Sequence, residues 1–187
     1  MIISRRGFVG LGAVALLSAC DSNLLGNGVG SDGAARVDAR VDATRDYLFT
    51  NYPGTRDLAA SARGILFMPL LTEVGFGIGG GYGRGALRIN DVTVDYYSAT
   101  RATIGIQIGA QQYAHALFFM TEGALANFRR SNGWVAGAEV RYATPEQGGS
   151  IGKDTTELDP VIGLVFGQQG LIAGATVSGV KYSRIIP

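Results

Sequence analysis

A chain of 187 residues, 47% hydrophobic and 17% charged, is long enough to bury the core of one domain and short for two. Its 29 glycines stand against 5 prolines with no G-X-Y period, which excludes collagen and a Pro/Gly-rich disordered tract, so the glycines serve a fold. Sixteen Lys and Arg against fifteen Asp and Glu leave no basic footprint for nucleic acid and argue against a binding mode driven wholly by anionic lipid.

Residues 1–19 read as an export signal. The basic pair Arg5-Arg6 precedes an apolar run from Phe8 to Leu17, which is too short to span a bilayer as a mature helix. Ser4-Arg5-Arg6-Gly7-Phe8 resembles a twin-arginine signal, although Val9-Gly10 departs from the usual Leu-Lys continuation and leaves the general secretory route open. Leu17-Ser18-Ala19-Cys20 looks like a bacterial lipobox, in which Cys20 is acylated, palmitate among its chains, and becomes the first mature residue. Cys20 is the only cysteine, so no disulfide forms. Loss of Arg5 and Arg6 leaves 14 basic residues against 15 acidic ones, and any basic patch has to be local.

Residues 20–34 read as the lipidated N-terminus and a flexible tether, DSNLLGNGVGSDGA, with an end-to-end distance of roughly 20 Å. Asp21 resembles the residue that keeps lipoproteins in the inner membrane. The expected location is therefore the bacterial cell envelope, lipid-anchored and facing the periplasm, with the inner membrane favoured over the outer.

A single domain follows over residues 35–187. From Ala35 to Tyr52, Val37, Val41 and Leu48 recur at helical spacing with Arg and Asp on the other faces, and Pro53-Gly54 ends the helix. Its polar face mixes acids with bases. That favours an ordinary packing helix over a helix lying on a membrane surface. Thr55 is placed to cap a second helix, with Asp57 in its first turn and Gly64 beyond its end.

Strands are predicted at Ile65–Leu71, Val92–Ala99, Thr103–Ile108, Gln112–Phe119, Val135–Tyr142, Val161–Phe166 and Leu171–Tyr182, rich in β-branched and aromatic residues. A helix capped by Thr121 is predicted to interrupt them up to Ser131, with Leu125 and Phe128 on one face and Arg129 and Arg130 in the last turn. The expected architecture is α+β: N-terminal helices packed on a large, curved, mainly antiparallel sheet, half-barrel-like, with one inserted helix.

The stretch GFGIGGGYGRG, Gly75 to Gly85, matches the G-x-G-x-x-G pattern of dinucleotide sites. That fingerprint needs a helix opening on the glycines. Here an alternating segment follows and turns at Asn90-Asp91. No Gly-Lys-Ser/Thr is present for a P-loop either. Gly75, Gly77, Gly79, Gly81, Gly83 and Gly85 all hold odd positions, whereas Phe76, Ile78, Tyr82 and Arg84 hold even ones, so the segment predicts a strand with one bare face. Such a face serves sharp bending or the close approach of another element, and Gly105 and Gly109 repeat the spacing.

Four blocks in order carry a family resemblance: RGILFMPLLTEVGFGIGGGYGRGAL, DYYSATRATIGIQIGAQQYAHALFFMTEGALANF, GWVAGAEV and VFGQQGLIAGATVSGVKYSRI. Together they resemble the SYLF domain, a lipid-binding family of bacterial lipoproteins and eukaryotic membrane-trafficking proteins. The likeness runs from about Asp42 to the C-terminus. It rests on Arg63-Gly64, Gly75 to Gly85, Tyr97-Ser98, Gly105 to Gly109 and Gly170 to Gly174. The resemblance implies phospholipid binding, with the N-terminal helix and nearby basic residues meeting the bilayer. On this chain the implied contacts are Arg63 first, Arg84 second, and Arg36, Arg40, Arg45 and Arg56, offset by Asp38, Asp42, Asp46 and Asp57.

An enzyme is not expected. His115 is the only histidine and sits in a strand with Tyr113 and Leu117 on its face, which reads as structural. It has no cysteine partner, no GxSxG and no second histidine for a metal centre. The polar loop Glu146–Asp159 lacks EF-hand spacing. Neither cofactor nor metal is expected. The expected function is that of a non-catalytic envelope lipoprotein binding phospholipid, and the alternative is a scaffolding lipoprotein that binds a protein partner or itself.

Overall fold

The computed structural model describes residues 31–143, 159–170 and 178–187. The export signal, Cys20, the tether as far as residue 30, the loop 146–158 and the predicted strand segment 171–177 lie outside the described residues. The fold is α+β: helices α1 (Ser31–Asn51) and α2 (Thr55–Ser61) precede strands β1 (Gly64–Ile89) and β2 (Val92–Phe119), helix α3 (Glu122–Arg130), and strands β3 (Trp134–Val135), β4 (Val140–Ala143), β5 (Val161–Gly170) and β6 (Lys181–Ile185). The sheet runs β3-β6-β2-β5-β4, with β1 on β2 as well. All pairings are antiparallel except β4 with β5, and the sheet curls into a half-barrel.

One long hairpin dominates. The three strands predicted between Val92 and Phe119 are a single strand of 28 residues, and the glycine stretch joins Ile65–Leu71 in a single strand of 26. The turn is at Asn90 and Asp91, as the sequence predicts. Both have positive φ, 51° and 65°, the paired left-handed conformation that two-residue hairpin loops need. The breaks expected within β2, at 100–102 and 109–111, pair without interruption, and the irregularities of register fall instead between Met68 and Leu71, Phe76 and Ile78, and Leu87 and Arg88. Strands this long far exceed the usual 3–10 residues. They persist because the irregularities let them bend without losing their partner.

The bend explains the glycines. A Cβ on Gly85 would overlap the Phe67 carbonyl oxygen, one on Gly83 would stand 2.5 Å from the Leu70 carbonyl oxygen, one on Gly81 2.8 Å from Glu73 Cγ, and one on Gly79 2.8 Å from the Val74 carbonyl oxygen. The first half of β1 therefore lies directly across the bare face of its second half. What fills the groove is the same strand, folded at Phe76–Ile78.

Two hydrophobic clusters result. The inner one fills the half-barrel with Leu66, Met68, Leu71, Leu87, Tyr97, Tyr113, Leu117, Phe119 and Tyr182. Helix α3 closes it: Phe128 packs at a tilt on Tyr97 at 4.6 Å and Phe119 at 4.7 Å, and edge-on to Trp134 at 5.3 Å, between ring centroids. Thr121 caps this helix as expected, its hydroxyl accepting from Ala124 N at 3.1 Å. The outer cluster joins Val37, Val41 and Leu48 of α1 and Leu58 of α2 to Phe67, Phe118, Ile162, Leu164 and Phe166 of the sheet.

The first helix is the ordinary packing helix that its mixed polar face favours, with its apolar stripe buried against the sheet. Several other expectations are corrected. The helix begins at Ser31, four residues inside the predicted tether. Thr55 is not a cap: it is the first residue of α2, and its buried hydroxyl donates to the Tyr52 carbonyl at 2.7 Å. The predicted strand Val135–Tyr142 is split at the turn after Gly137, and its halves pair with different strands, β6 and β5.

Candidate functional site

A groove of about 720 Å³ lies between the first half of α1 and the folded corner of the hairpin. Helix α1 contributes Arg36 and Arg40, and the hairpin contributes Leu70, Val74, Tyr82, Arg84 and Arg101. The helix places the two arginines one turn apart on its solvent side. Alternation along β1 places Tyr82 and Arg84 on the face opposite the glycines. Arg84 donates from Nε to Tyr82 Oη at 2.7 Å, and its guanidinium lies 5.8 Å from the Tyr82 ring centroid. Among the described residues, Arg36, Arg40 and Arg84 have no carboxylate partner. Three cations therefore meet one partly apolar groove with their charge unneutralised by any described residue.

Arg101 is held differently. It donates to Glu73 Oε1 at 3.2 Å, and the buried Glu73 carboxylate also accepts from Gln111 Nε2 and from Tyr113 Oη, each at 2.6 Å. Three donors make a buried carboxylate tolerable. Burial first, and then the bond to Glu73, push the Tyr113 phenol well above its usual range. His115 stands beside Tyr113 and is 0% exposed. Its Nε2 is hydrogen-bonded to Tyr182 Oη at 2.8 Å, and burial pushes its pKa down to about 3. Its neutral, enclosed imidazole matches the structural role expected of it.

The remaining arginines implied by the resemblance lie elsewhere. Arg45 lines a second hollow with Arg56 and Arg88, but there Arg45 Nη1 donates to both oxygens of Asp91 at 2.7 Å and Arg45 also pairs with Asp46. Arg88 pairs with Asp42 at 2.6 Å. Acids neutralise this hollow. Arg56 donates to the Phe49 carbonyl and lies over its ring. Arg63 is exposed at the opening of β1, 3.7 Å from Glu122. The groove thus brings together Arg36, Arg40 and Arg84 and leaves Arg45, Arg56 and Arg63 outside.

Sequence reasoning missed Arg101 and the apolar residues of the corner: Leu70, Val74, Phe76, Ile78 and Tyr82 are all exposed. A signal existed for Phe76, Ile78 and Tyr82. Large apolar side chains alternating with a bare face have no core on their own side to enter. Neither protein-family models nor curated proteins match this chain.

Proposed function

We propose that this protein is a membrane-anchored envelope lipoprotein whose SYLF-like domain binds phospholipid at the bilayer surface without catalysing a reaction. One observation carries the reading: Arg36, Arg40 and Arg84 converge on a partly apolar groove with no carboxylate among the described residues to neutralise them. Lipid phosphates are the complementary ligand, because guanidinium groups bind phosphate oxygens in a planar fork while apolar walls suit the acyl region below. The order of the sequence blocks supports the SYLF resemblance, and the Leu17–Cys20 motif supports the acyl anchor. The enclosed neutral His115 supports a role without catalysis.

The described core runs from Val37 to Tyr182, so a chain lacking residues 1–20 retains it. This chain is expected to co-sediment with phosphatidylcholine vesicles containing phosphatidylglycerol, and less so at high salt. Each basic residue near an anionic surface contributes about 1 kcal/mol. Reversing all three as Arg36→Glu, Arg40→Glu and Arg84→Glu is therefore expected to weaken binding by about 100-fold or more. Failure to co-sediment with any lipid composition would favour a protein partner or self-association instead.

A further inference from the structure

We propose that the folded corner of the hairpin, carrying Phe76 and Ile78, is a wedge that enters the bilayer while Arg36, Arg40 and Arg84 engage the phosphates beside it. The proposal rests on the phospholipid reading above and names the part of the molecule that does the inserting. Phe76 is 80% exposed and Ile78 76% exposed, although both belong to paired strands rather than to a loop tip. Val74, Leu70 and Tyr82 continue the apolar surface toward the arginine groove. Around Phe76 and Ile78 the surface is completed by Gly79, Gly80 and Gly109, which carry no polar side chains to hold water. A contiguous apolar patch of this kind marks an interaction site.

The backbone limits how deep the corner goes. Residues Val74 to Phe76 pair with Ile108 to Ala110, and Ile78 to Gly80 pair with Ala102 to Ile104. Among the described residues each strand is thus hydrogen-bonded along one edge only here, so the side chains of Phe76 and Ile78 enter the leaflet while the free backbone edges stay at the hydrated interface. Tyr82 and Arg84 stand at the rim, where an aromatic ring with a polar end and a snorkelling cation belong.

Charge and connectivity select a bilayer as the occupant. The first turns of α1 line the groove through Gly33 and Arg36 beside Val74. Only ten residues, Asp21 to Gly30, separate Ser31 from Cys20, a span of at most roughly 35 Å. An acyl chain on Cys20 would therefore enter the leaflet that the corner faces. The other end of the hairpin carries the acids: Asp42, Asp46 and Asp91 surround Arg45 and Arg88 near the Asn90-Asp91 turn. At the corner the Glu73 carboxylate is buried and held by Arg101, Gln111 and Tyr113, whereas Asp42, Asp46 and Asp91 lie at the other end of the hairpin, and this asymmetry orients the molecule with Arg36, Arg40 and Arg84 toward an anionic surface.

The test uses the chain lacking residues 1–20 with phosphatidylcholine–phosphatidylglycerol vesicles whose acyl chains are brominated. The tryptophan introduced by Phe76→Trp is expected to be quenched by the bromines. The one introduced by Val92→Trp, exposed beside the hairpin turn, is expected not to be, with the buried Trp134 a common background in both. Phe76→Ser with Ile78→Ser is expected to lower vesicle affinity at least about tenfold, the loss for one large apolar side chain no longer buried. If the Phe76→Trp variant is not quenched and the serine variant binds as well as the parent, while the arginine reversals still weaken binding, the wedge is overturned and surface binding stands. If the parent binds no vesicle, the phospholipid reading fails and the wedge fails with it.

Discussion

At the scale of single residues, the glycines divide by what surrounds them. Gly85 has no room for a Cβ, because the Phe67 carbonyl oxygen and Met68 Sδ occupy its place. Gly123, in α3, meets nothing within 4 Å. Gly85→Ala is therefore expected to destabilise the domain by more than about 3 kcal/mol, or to prevent folding, since the atoms in the way are backbone. Gly123→Ala is expected to stabilise it by about 0.5–1 kcal/mol through helix propensity. Denaturant unfolding of the two variants checks this, and equal effects would contradict the strand-on-strand packing. His115 supplies a pH dependence. Burial lowers its pKa from the ordinary 6.5 to about 3, so between these values the unfolded chain binds a proton that the folded chain refuses. The contribution is fully present above 6.5 and is lost as pH falls through this window, by up to about 1.4 kcal/mol per unit and about 2 kcal/mol at about pH 5. His115→Gln is expected to flatten the stability profile by that amount between about pH 7.5 and about pH 5, and an unchanged profile would count against the assignment.

Among the elements, α1 and α3 have opposite relations to the sheet. The stripe of α1 covers the outer face with Val37, Val41 and Leu48, leaving Arg36 and Arg40 exposed. In the proposed function the helix therefore contributes charge to the groove rather than an apolar face to the membrane. Helix α3 inserts Phe128 among four aromatic rings at the open side of the half-barrel. Phe128→Ala is expected to cost about 3–5 kcal/mol, the usual loss for a large aromatic core residue. Thr121→Ala, which removes only the cap bond, is expected to cost about 1 kcal/mol. The ratio of the two shifts in denaturant midpoint tests whether α3 is held by its plug or by its cap. The hairpin gains most from long-range pairing: Gly64 meets Phe119 and Ile89 meets Val92, so one register ties residues 55 positions apart to those three apart.

For the whole molecule, the groove is lined by the first turns of α1, which follow the proposed anchor by about a dozen residues in sequence. Cys20→Ala is expected to abolish acyl-chain labelling in cells and to convert membrane attachment into one that high salt removes, because only the surface contacts of the domain would remain. Unchanged labelling would overturn the lipobox reading. No helix among the described residues is long and apolar enough to cross a membrane.

Local pattern was enough for a good deal of this. The helical stripe of α1, the Thr121 cap, the Asn90-Asp91 turn, the enclosed His115 and the α+β class with a curved sheet all follow from spacing and propensity, which act within a few residues. The odd-position glycines likewise made the bare face legible. Which element covers that face was decided by the tertiary fold: the register shifts at Met68–Leu71 and Phe76–Ile78 bend β1 onto itself, and no local preference encodes a register. The same bend buries Glu73 under Arg101, Gln111 and Tyr113. It also separates Arg36, Arg40 and Arg84 from the neutralised Arg45 and the distant Arg63. In sequence these arginines look alike, since acids flank α1 throughout; the carboxylates that distinguish them, Asp91 at Arg45 and Glu122 at Arg63, come from parts of the chain that meet only in the tertiary fold.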